Sequence, residues 1–190
     1  VKYDEAKEDQ WFKVDKVKLI EKNPAVNLPY LIDGDRVIAE SAAVCVYICH
    51  KAKRLDLLGV DEESLVTLAT AYGVYVDFHK QYIQLVYGQY KEKTWEEALV
   101  NYGKNFEGQL KKLEGILGKK EFICGGLTWI DFAIADSVNI ISELQPEVLA
   151  HLGKLVEYQK RVWALPALQA YFNSPRNSLK PVNGVDAKWR

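Results

Sequence analysis

The sequence contains no methionine, not even at position 1, so we expect a truncated, processed or partly represented chain. It has only three cysteines, an odd number that argues against a secreted disulfide framework. No apolar run approaches the roughly 20 residues that span a bilayer, and residues 1–5 do not resemble a signal peptide. These absences predict a cytoplasmic protein that has no membrane partner.

Several catalytic motifs are also missing. The sequence has no phosphate-binding loop, no Gly-rich dinucleotide fingerprint, no His-Glu-x-x-His and no visible nucleophilic triad. Cys45 and Cys49 lie four residues apart, but a metal site would need further ligands at fitting spacing, so we expect no metal. The 25 basic and 26 acidic residues are interspersed, with a net charge of -1, which argues against a nucleic-acid partner.

The 190 residues, 48% of them hydrophobic, can form either one large domain or two small ones. Short strand and helix signals are mixed in the first part, whereas the part after about Gly59 has the pattern of helices joined by brief turns. The change predicts an α/β domain over residues 1–54, a linker over 55–60 and an all-helical domain over 61–190.

A hairpin and a helix are predicted in the first domain. Two apolar runs, 30–32 and 37–39, flank a Gly-containing turn at Asp33-Gly34-Asp35. Residues 42–53 contain no Gly or Pro and have basic residues near their end, so we expect a helix there with Ser41 as its cap.

The second domain shows several helix starts. Acidic residues 61–63 begin a long helix, and Thr94 with Glu97, then Thr128 with Asp131, form capping boxes for two more. Asp136 is expected in the core with hydrogen-bond partners, and two last helices are expected over 153–164 and 166–173. The first long helix is also indicated by apolar or aromatic residues at helical spacing, which are Leu65, Ala69, Tyr72, Val76, Ile83 and Val86.

One place in the first domain has the chemistry of a ligand site. Glu40-Ser41 stands where a strand turns into a helix, and free backbone N–H groups there favour a carboxylate or phosphate. Pro29 cannot donate to a ladder, so it belongs at an edge, at a strand start or in a cis turn, leaving the Leu28 backbone able to pair with an extended peptide. These parts suggest a peptide-like, zwitterionic ligand; a plain structural cap is the alternative.

The order of these motifs resembles the cytosolic glutathione transferases, most of all the mu class and next the sigma class. It comprises Trp11, the stretch 27–34, Glu40-Ser41-Ala42-Ala43, a linker and a helical domain. The resemblance continues through Asp77-Phe78-His79, Tyr87 and the stretch 128–132, and so covers nearly the whole chain. It implies a thioredoxin-like first domain, incomplete here, followed by an all-helical domain.

The resemblance also implies how glutathione is held. Leu28, before a cis Pro29, would pair its backbone with the cysteinyl part. Glu40 and Ser41 would hold the γ-glutamyl end, with Glu40 standing where the mu pattern has glutamine.

The glycyl carboxylate would meet Trp11 and a following lysine, with Asn27 nearby. We expect this lysine to be Lys16. Lys13 and Lys18 are the alternatives, because the segment between Trp11 and Asn27 is longer than in the mu pattern.

Two residues of the second domain have implied roles. Asp77 resembles the acid that reaches across a homodimer interface to the partner's glutathione. Tyr87 resembles an accessory catalytic tyrosine lining the electrophile pocket; a core aromatic is its alternative. The principal catalytic Tyr or Ser would lie on a first strand that, with the first helix, is expected upstream of Val1.

The implied activity is conjugation of the glutathione thiolate to hydrophobic electrophiles, a detoxification reaction that needs no metal or redox cofactor. One alternative is a glutathione-dependent isomerase of the sigma type. The other is a non-catalytic relative that binds glutathione or hydrophobic ligands or has a structural role.

Overall fold

The protein is described by a computed structural model over residues 10–175, 177, 182–184 and 186–190. The chain divides into two compact units, Val1–Leu55 and Asp56–Arg190. The first unit mixes helices and strands, and the second is built from helices. Among the described residues, no helix is long and apolar enough to cross a membrane.

The first unit begins with a helical segment that the sequence pattern did not indicate. A π-helical stretch, Trp11–Asp15, runs directly into helix α1, Lys16–Leu19. Strands β1, Tyr30–Asp33, and β2, Arg36–Ala39, follow, and then helix α2, Ser41–Lys51.

The predicted hairpin is present. The strands pair antiparallel, with Tyr30 opposite Ala39 and Asp33 opposite Arg36, so a two-residue loop joins them. Gly34 has a φ of 58°, a left-handed conformation that glycine adopts without the steric penalty of a Cβ. The register of the sheet therefore follows from the turn.

Helix α2 departs from the prediction at its first residue. Glu40, with φ 69° and ψ 123°, is the N-cap, and no side chain caps the helix. The expectation that Ser41 caps it is wrong: the first intrahelical bond goes from the Val44 N–H to the Glu40 carbonyl, at 2.9 Å, so Ser41 is already helical. The Ser41 side chain is exposed.

The second unit contains five helices over its described residues. Helix α3 begins with a capping box between Asp61 and Ser64, and Thr94 caps α4 by accepting the Glu97 N–H at 3.2 Å. Two 3₁₀ turns, Leu55–Leu58 and Pro146–Leu149, accompany the helices. The helices are α3, Glu62–Val86; α4, Trp95–Leu117; α5, Trp129–Leu144; α6, Gly153–Trp163; and α7, Pro166–Phe172.

The predicted capping box at α5 is present around a carboxylate that is completely buried. Asp131 Oδ2 accepts the Thr128 N–H at 2.7 Å and the Thr128 hydroxyl at 2.9 Å. Its Oδ1 accepts the Ile123 N–H at 2.9 Å and the Tyr158 hydroxyl at 2.8 Å. Burial raises the pKa of Tyr158, so this hydroxyl remains a donor. Four donors replace the water that the carboxylate loses.

The other predicted core acid is not in the core. Asp136 is exposed, although nearby protein atoms that exclude water raise the pKa of its carboxyl. The physical reason is the face that α5 buries, which repeats at three- and four-residue spacing through Ile134, Val138 and Ile141 and leaves Asp136 outside it.

The long helix predicted after residues 61–63 is present as α3, but most of the apolar residues whose spacing indicated it are not the ones that it buries. Leu65 is 51% exposed and Val76 is 39% exposed, and Ala69 is also exposed. The helix is apolar on two opposite faces, so periodicity alone did not distinguish the face that packs inward. The face that the second unit buries consists of Ala71, Phe78, Tyr82, Leu85 and Val86.

Candidate functional site

The hairpin register brings the two predicted halves of the site together. Tyr30 pairs with Ala39, so the residues just before Tyr30 run beside those just after Ala39. The Leu28-Pro29 peptide bond is cis, as predicted. Leu28 is 48% exposed, and Glu40 is also exposed. The backbone of Leu28 and the start of α2 therefore border one accessible edge of the hairpin.

The start of α2 has the electrostatics of an anion site. Its first-turn N–H groups have no side-chain cap, whereas in α3 the Asp61 carboxylate accepts the Ser64 N–H at 2.7 Å. Unpaired N–H groups and the positive end of the helix dipole attract a carboxylate. The exposed Ser41 adds a hydroxyl, and the Glu40 carboxylate adds a negative charge next to it. Together they suit a group that carries both an acid and an ammonium.

Trp11 and Lys16 lie on the same side of the hairpin. The Trp11 ring is buried and stacks on Tyr30, with ring centroids 5.3 Å apart and an interplanar angle of 18°. Lys16 Nζ lies 5.9 Å from the centroid of the Trp11 ring and 6.0 Å from that of Phe12. The Trp11 ring therefore lies between Lys16 and Tyr30, the residue that follows Pro29.

The remaining candidates of the first unit are open to solvent. Asn27, next to Leu28, is exposed, and so are Lys13 and Lys18. Of the three lysines considered, Lys16 is the one whose ammonium lies over the Trp11 ring. This placement favours Lys16.

Sequence reasoning missed a residue that positions this edge. Asn23 Nδ2 donates to the Val37 carbonyl at 2.9 Å, and Asn23 Oδ1 accepts the Ala25 N–H at 3.0 Å. The side chain thereby fastens the segment that leads to Leu28 onto strand β2. The signal in the sequence was the Asn-Pro pair at 23–24, which is typical of a turn.

The two candidates of the second unit lie on or next to α3. Asp77 is exposed in the middle of the helix, whereas Tyr87 is its C-cap residue, with φ -97° and ψ 14°. Tyr87 is 37% exposed, so it is not a core aromatic. Its hydroxyl accepts the Gly184 N–H at 3.2 Å.

The end of the chain is fastened to the same end of α3. Asn183 Nδ2 donates to the Tyr82 hydroxyl at 2.6 Å, and the Lys188 N–H donates to the Val86 carbonyl at 2.6 Å. Burial raises the pKa of Tyr82 to about 12, so the phenol stays neutral at physiological pH. The described tail residues therefore contact the last turns of α3, and Gly184 is the one that bonds to the Tyr87 hydroxyl.

Comparison with known proteins identifies the family. A family model described as the C-terminal domain of glutathione S-transferase matches residues 76–175, and one described as the N-terminal domain matches residues 10–55. The chain belongs to the glutathione S-transferase family. Its fold is accordingly a small thioredoxin-like domain with a two-stranded sheet, followed by an all-helical domain, as expected.

Individual glutathione transferases resemble most of the chain. The class-mu 26 kDa isozyme of Schistosoma mansoni is 30% identical over 186 residues, covering 97% of this chain and 81% of the relative. Human glutathione S-transferase Mu 3 is 32% identical over 181 residues, covering 95% of this chain and 76% of the relative. The similarity to the mu class is therefore confirmed, and neither the isomerase nor the non-catalytic alternative is favoured.

A solved structure shares the fold. The Pi-class glutathione S-transferase of Onchocerca volvulus superposes with a TM-score of 0.73 at 24% identity, covering 93% of this chain and 84% of that structure.

No group of three His, Cys, Asp or Glu side chains that could hold a metal ion occurs in the described part of the chain.

Proposed function

We propose that this member of the glutathione transferase family conjugates the thiol of glutathione to hydrophobic electrophiles in a detoxification role in the cytoplasm. The observation that supports it most is the uncapped, exposed start of α2 beside the accessible Leu28-Pro29 edge. Within this proposal, residues 1–54 are the glutathione-binding domain, 55–60 the linker and 61–190 the helical domain.

The cysteinyl and γ-glutamyl parts of glutathione lie along the hairpin edge. The Leu28 backbone pairs with the cysteinyl residue as an added strand would. The first N–H groups of α2 and the Ser41 hydroxyl bind the γ-glutamyl carboxylate, and Glu40 faces its ammonium. This arrangement holds the tripeptide extended, with its thiol projecting from the edge.

The glycyl carboxylate lies at the other end of the tripeptide. Lys16 is its charged partner, held by the Trp11 ring, and Asn27 contributes from the exposed segment before Leu28. Electrostatic attraction between Lys16 and the carboxylate orients the ligand.

The helical domain contributes two residues to the reaction. Tyr87 donates a hydrogen bond to the oxyanion that develops when the thiolate adds to an enone or opens an epoxide. The exposed Asp77 reaches the glutathione of a partner subunit, so the functional unit is a homodimer.

A binding and turnover experiment tests the proposal. Calorimetric titration of the chain with glutathione is expected to show saturable binding, weakened in Ser41→Ala. Ser142→Ala, which removes an exposed serine of α5, is the control and should bind as the wild type does. Conjugation is followed by absorbance with chlorodinitrobenzene. No binding by the folded wild type, or equal binding by both variants, would overturn the proposed site.

A further inference from the structure

Helix α2 carries two thiols that the proposed glutathione site does not use. Cys45 and Cys49 lie four residues apart on this helix, and their sulfurs are thiols rather than the two halves of a disulfide. Four residues place the two side chains about 6 Å apart along the axis and about 40° apart around it, so they share one face. Burial, and then the neighbouring Cys49, raise the pKa of the Cys45 thiol, which agrees with this proximity.

A row of three side chains along α2 leads from solvent to the buried thiol. Ser41 is exposed, Cys45 is half-buried and Cys49 is 5% exposed. Each lies four residues after the one before it, so neighbouring members of the row are side by side on the helix surface. A ligand therefore reaches the Cys45 thiol first and the Cys49 thiol second.

The distance between the two thiols suits a bridging atom better than a disulfide. Side chains four residues apart on a helix have Cβ atoms about 5–6 Å apart, whereas a disulfide needs about 3.5–4.5 Å between them. An atom bonded to both sulfurs adds one bond to the connection and covers the difference without distorting the helix. The pair therefore fits a ligand that inserts one atom between the two sulfurs.

The number of ligands that the protein supplies indicates which atom this is. A zinc ion in a structural site takes four ligands. Over the residues that the structure describes, the two thiols belong to no group of three or more His, Cys, Asp or Glu side chains that could hold a metal ion. A trivalent arsenic atom that already carries one organic substituent needs only two further bonds and favours sulfur, so two thiols complete it.

We infer that Cys45 and Cys49 form a binding site for trivalent arsenicals that carry one organic substituent. In water such a compound has two hydroxyl groups on arsenic, and each thiol replaces one of them. An S–H bond and an As–O bond break, an As–S bond forms, and the thiol proton leaves with the hydroxyl group as water. Arsenic stays trivalent and neither sulfur is oxidised, so the step needs no oxidant or reductant.

The test uses phenylarsine oxide as the probe, with intact-protein mass spectrometry and calorimetric titration as the measurements. We expect the wild type to take up one phenylarsenic group with the loss of two thiol hydrogens. Cys45→Ser and Cys49→Ser should each weaken binding at least about a hundredfold, because the second As–S bond no longer forms within one molecule. Circular dichroism verifies folding. The half-buried position of Cys45 tolerates a serine better than the buried one does, so Cys45→Ser decides the test if Cys49→Ser does not fold.

Two controls separate a paired site from general thiol reactivity. Cys124→Ser removes the half-buried thiol of the second unit, which has no other cysteine within four residues, and should bind the probe as the wild type does. Ala43→Cys/Cys45→Ala keeps two thiols on α2 but places them six residues apart, about 9 Å along the axis and about 120° around it. This variant should bind as weakly as Cys45→Ser.

Three results would each overturn the inference. They are a wild-type adduct that has lost only one thiol hydrogen, equal binding by Cys45→Ser and the wild type, and undiminished binding by the variant with the displaced thiol. None of these measurements uses glutathione or requires turnover, so they test the arsenical site independently of the proposed function.

Discussion

Replacing Asp131 by alanine should destabilise the helical unit strongly. The carboxylate is completely buried and accepts four hydrogen bonds, two from backbone N–H groups and two from hydroxyls. Hydroxyls can rotate to other acceptors, and the Tyr158 hydroxyl already has the Asp131 carbonyl at 3.2 Å. The backbone N–H groups of Ile123 and Thr128 cannot turn to other acceptors. Each buried N–H group left without a hydrogen bond lowers the stability by about 1–3 kcal/mol.

We therefore expect Asp131→Ala to lower the free energy of unfolding by about 3–5 kcal/mol. For a chain of this size, that corresponds to a fall in melting temperature of roughly 6–20 °C. Asp131→Asn should lose about half as much free energy, because its amide oxygen can serve one pair of donors while its NH₂ group faces the other. Urea denaturation followed by circular dichroism measures both.

Asp136→Ala supplies the control on the same helix. Its carboxylate is exposed, so its removal should change the unfolding free energy by no more than about 0.5 kcal/mol. The reasoning would be refuted if Asp131→Ala lost less than about 1 kcal/mol, or if the two alanine variants were equally stable.

The remaining predictions concern the site and its surroundings. Ser41→Ala should weaken glutathione binding without lowering the melting temperature, since Ser41 does not cap α2; a stability loss equal to that of a lost cap would contradict this. Tyr87→Phe should lower kcat with enones or epoxides more than it lowers the affinity for glutathione. If kcat and the affinity measured by titration fell equally, the cause would be a packing defect. Burial raises the pKa of Tyr82 to about 12, so its contribution to stability is complete below pH 10 and is lost as the pH rises toward 12. Urea denaturation between pH 9 and pH 11 measures the free energy of unfolding, which should fall less steeply with pH in Tyr82→Phe than in the wild type. An equally steep fall in both proteins would mean that other groups cause it.

Local signals in the sequence predicted much of the fold. A Gly-containing turn indicated the hairpin, and Thr94, Thr128 and Asp131 indicated where two helices begin, because turn and cap chemistry depend on residues only a few positions apart. The helical segment at 11–19 has no such cap and was not predicted.

The failures have a common physical reason. Helix α3 has apolar residues on two faces, and the sequence does not indicate which face is buried, because that depends on tertiary packing. At α2, a serine beside a helix start is consistent with two positions, N-cap or first turn, and the left-handed conformation of Glu40 decides between them. The stacking of Trp11 on Tyr30 joins residues that no periodicity relates.

The fastening of the last residues onto α3 has a consequence for the order of folding. The hydrogen bonds of Tyr82 and Tyr87 join residues that are 101 and 97 positions apart in the chain. Contacts of such sequence separation carry a large loop-closure cost, so they form after the helices between them have assembled. These tail contacts are then the last to form during folding and the first to break on unfolding. Amide exchange at Gly184 and Lys188 should consequently report a local opening of far lower free energy than that of the buried α5.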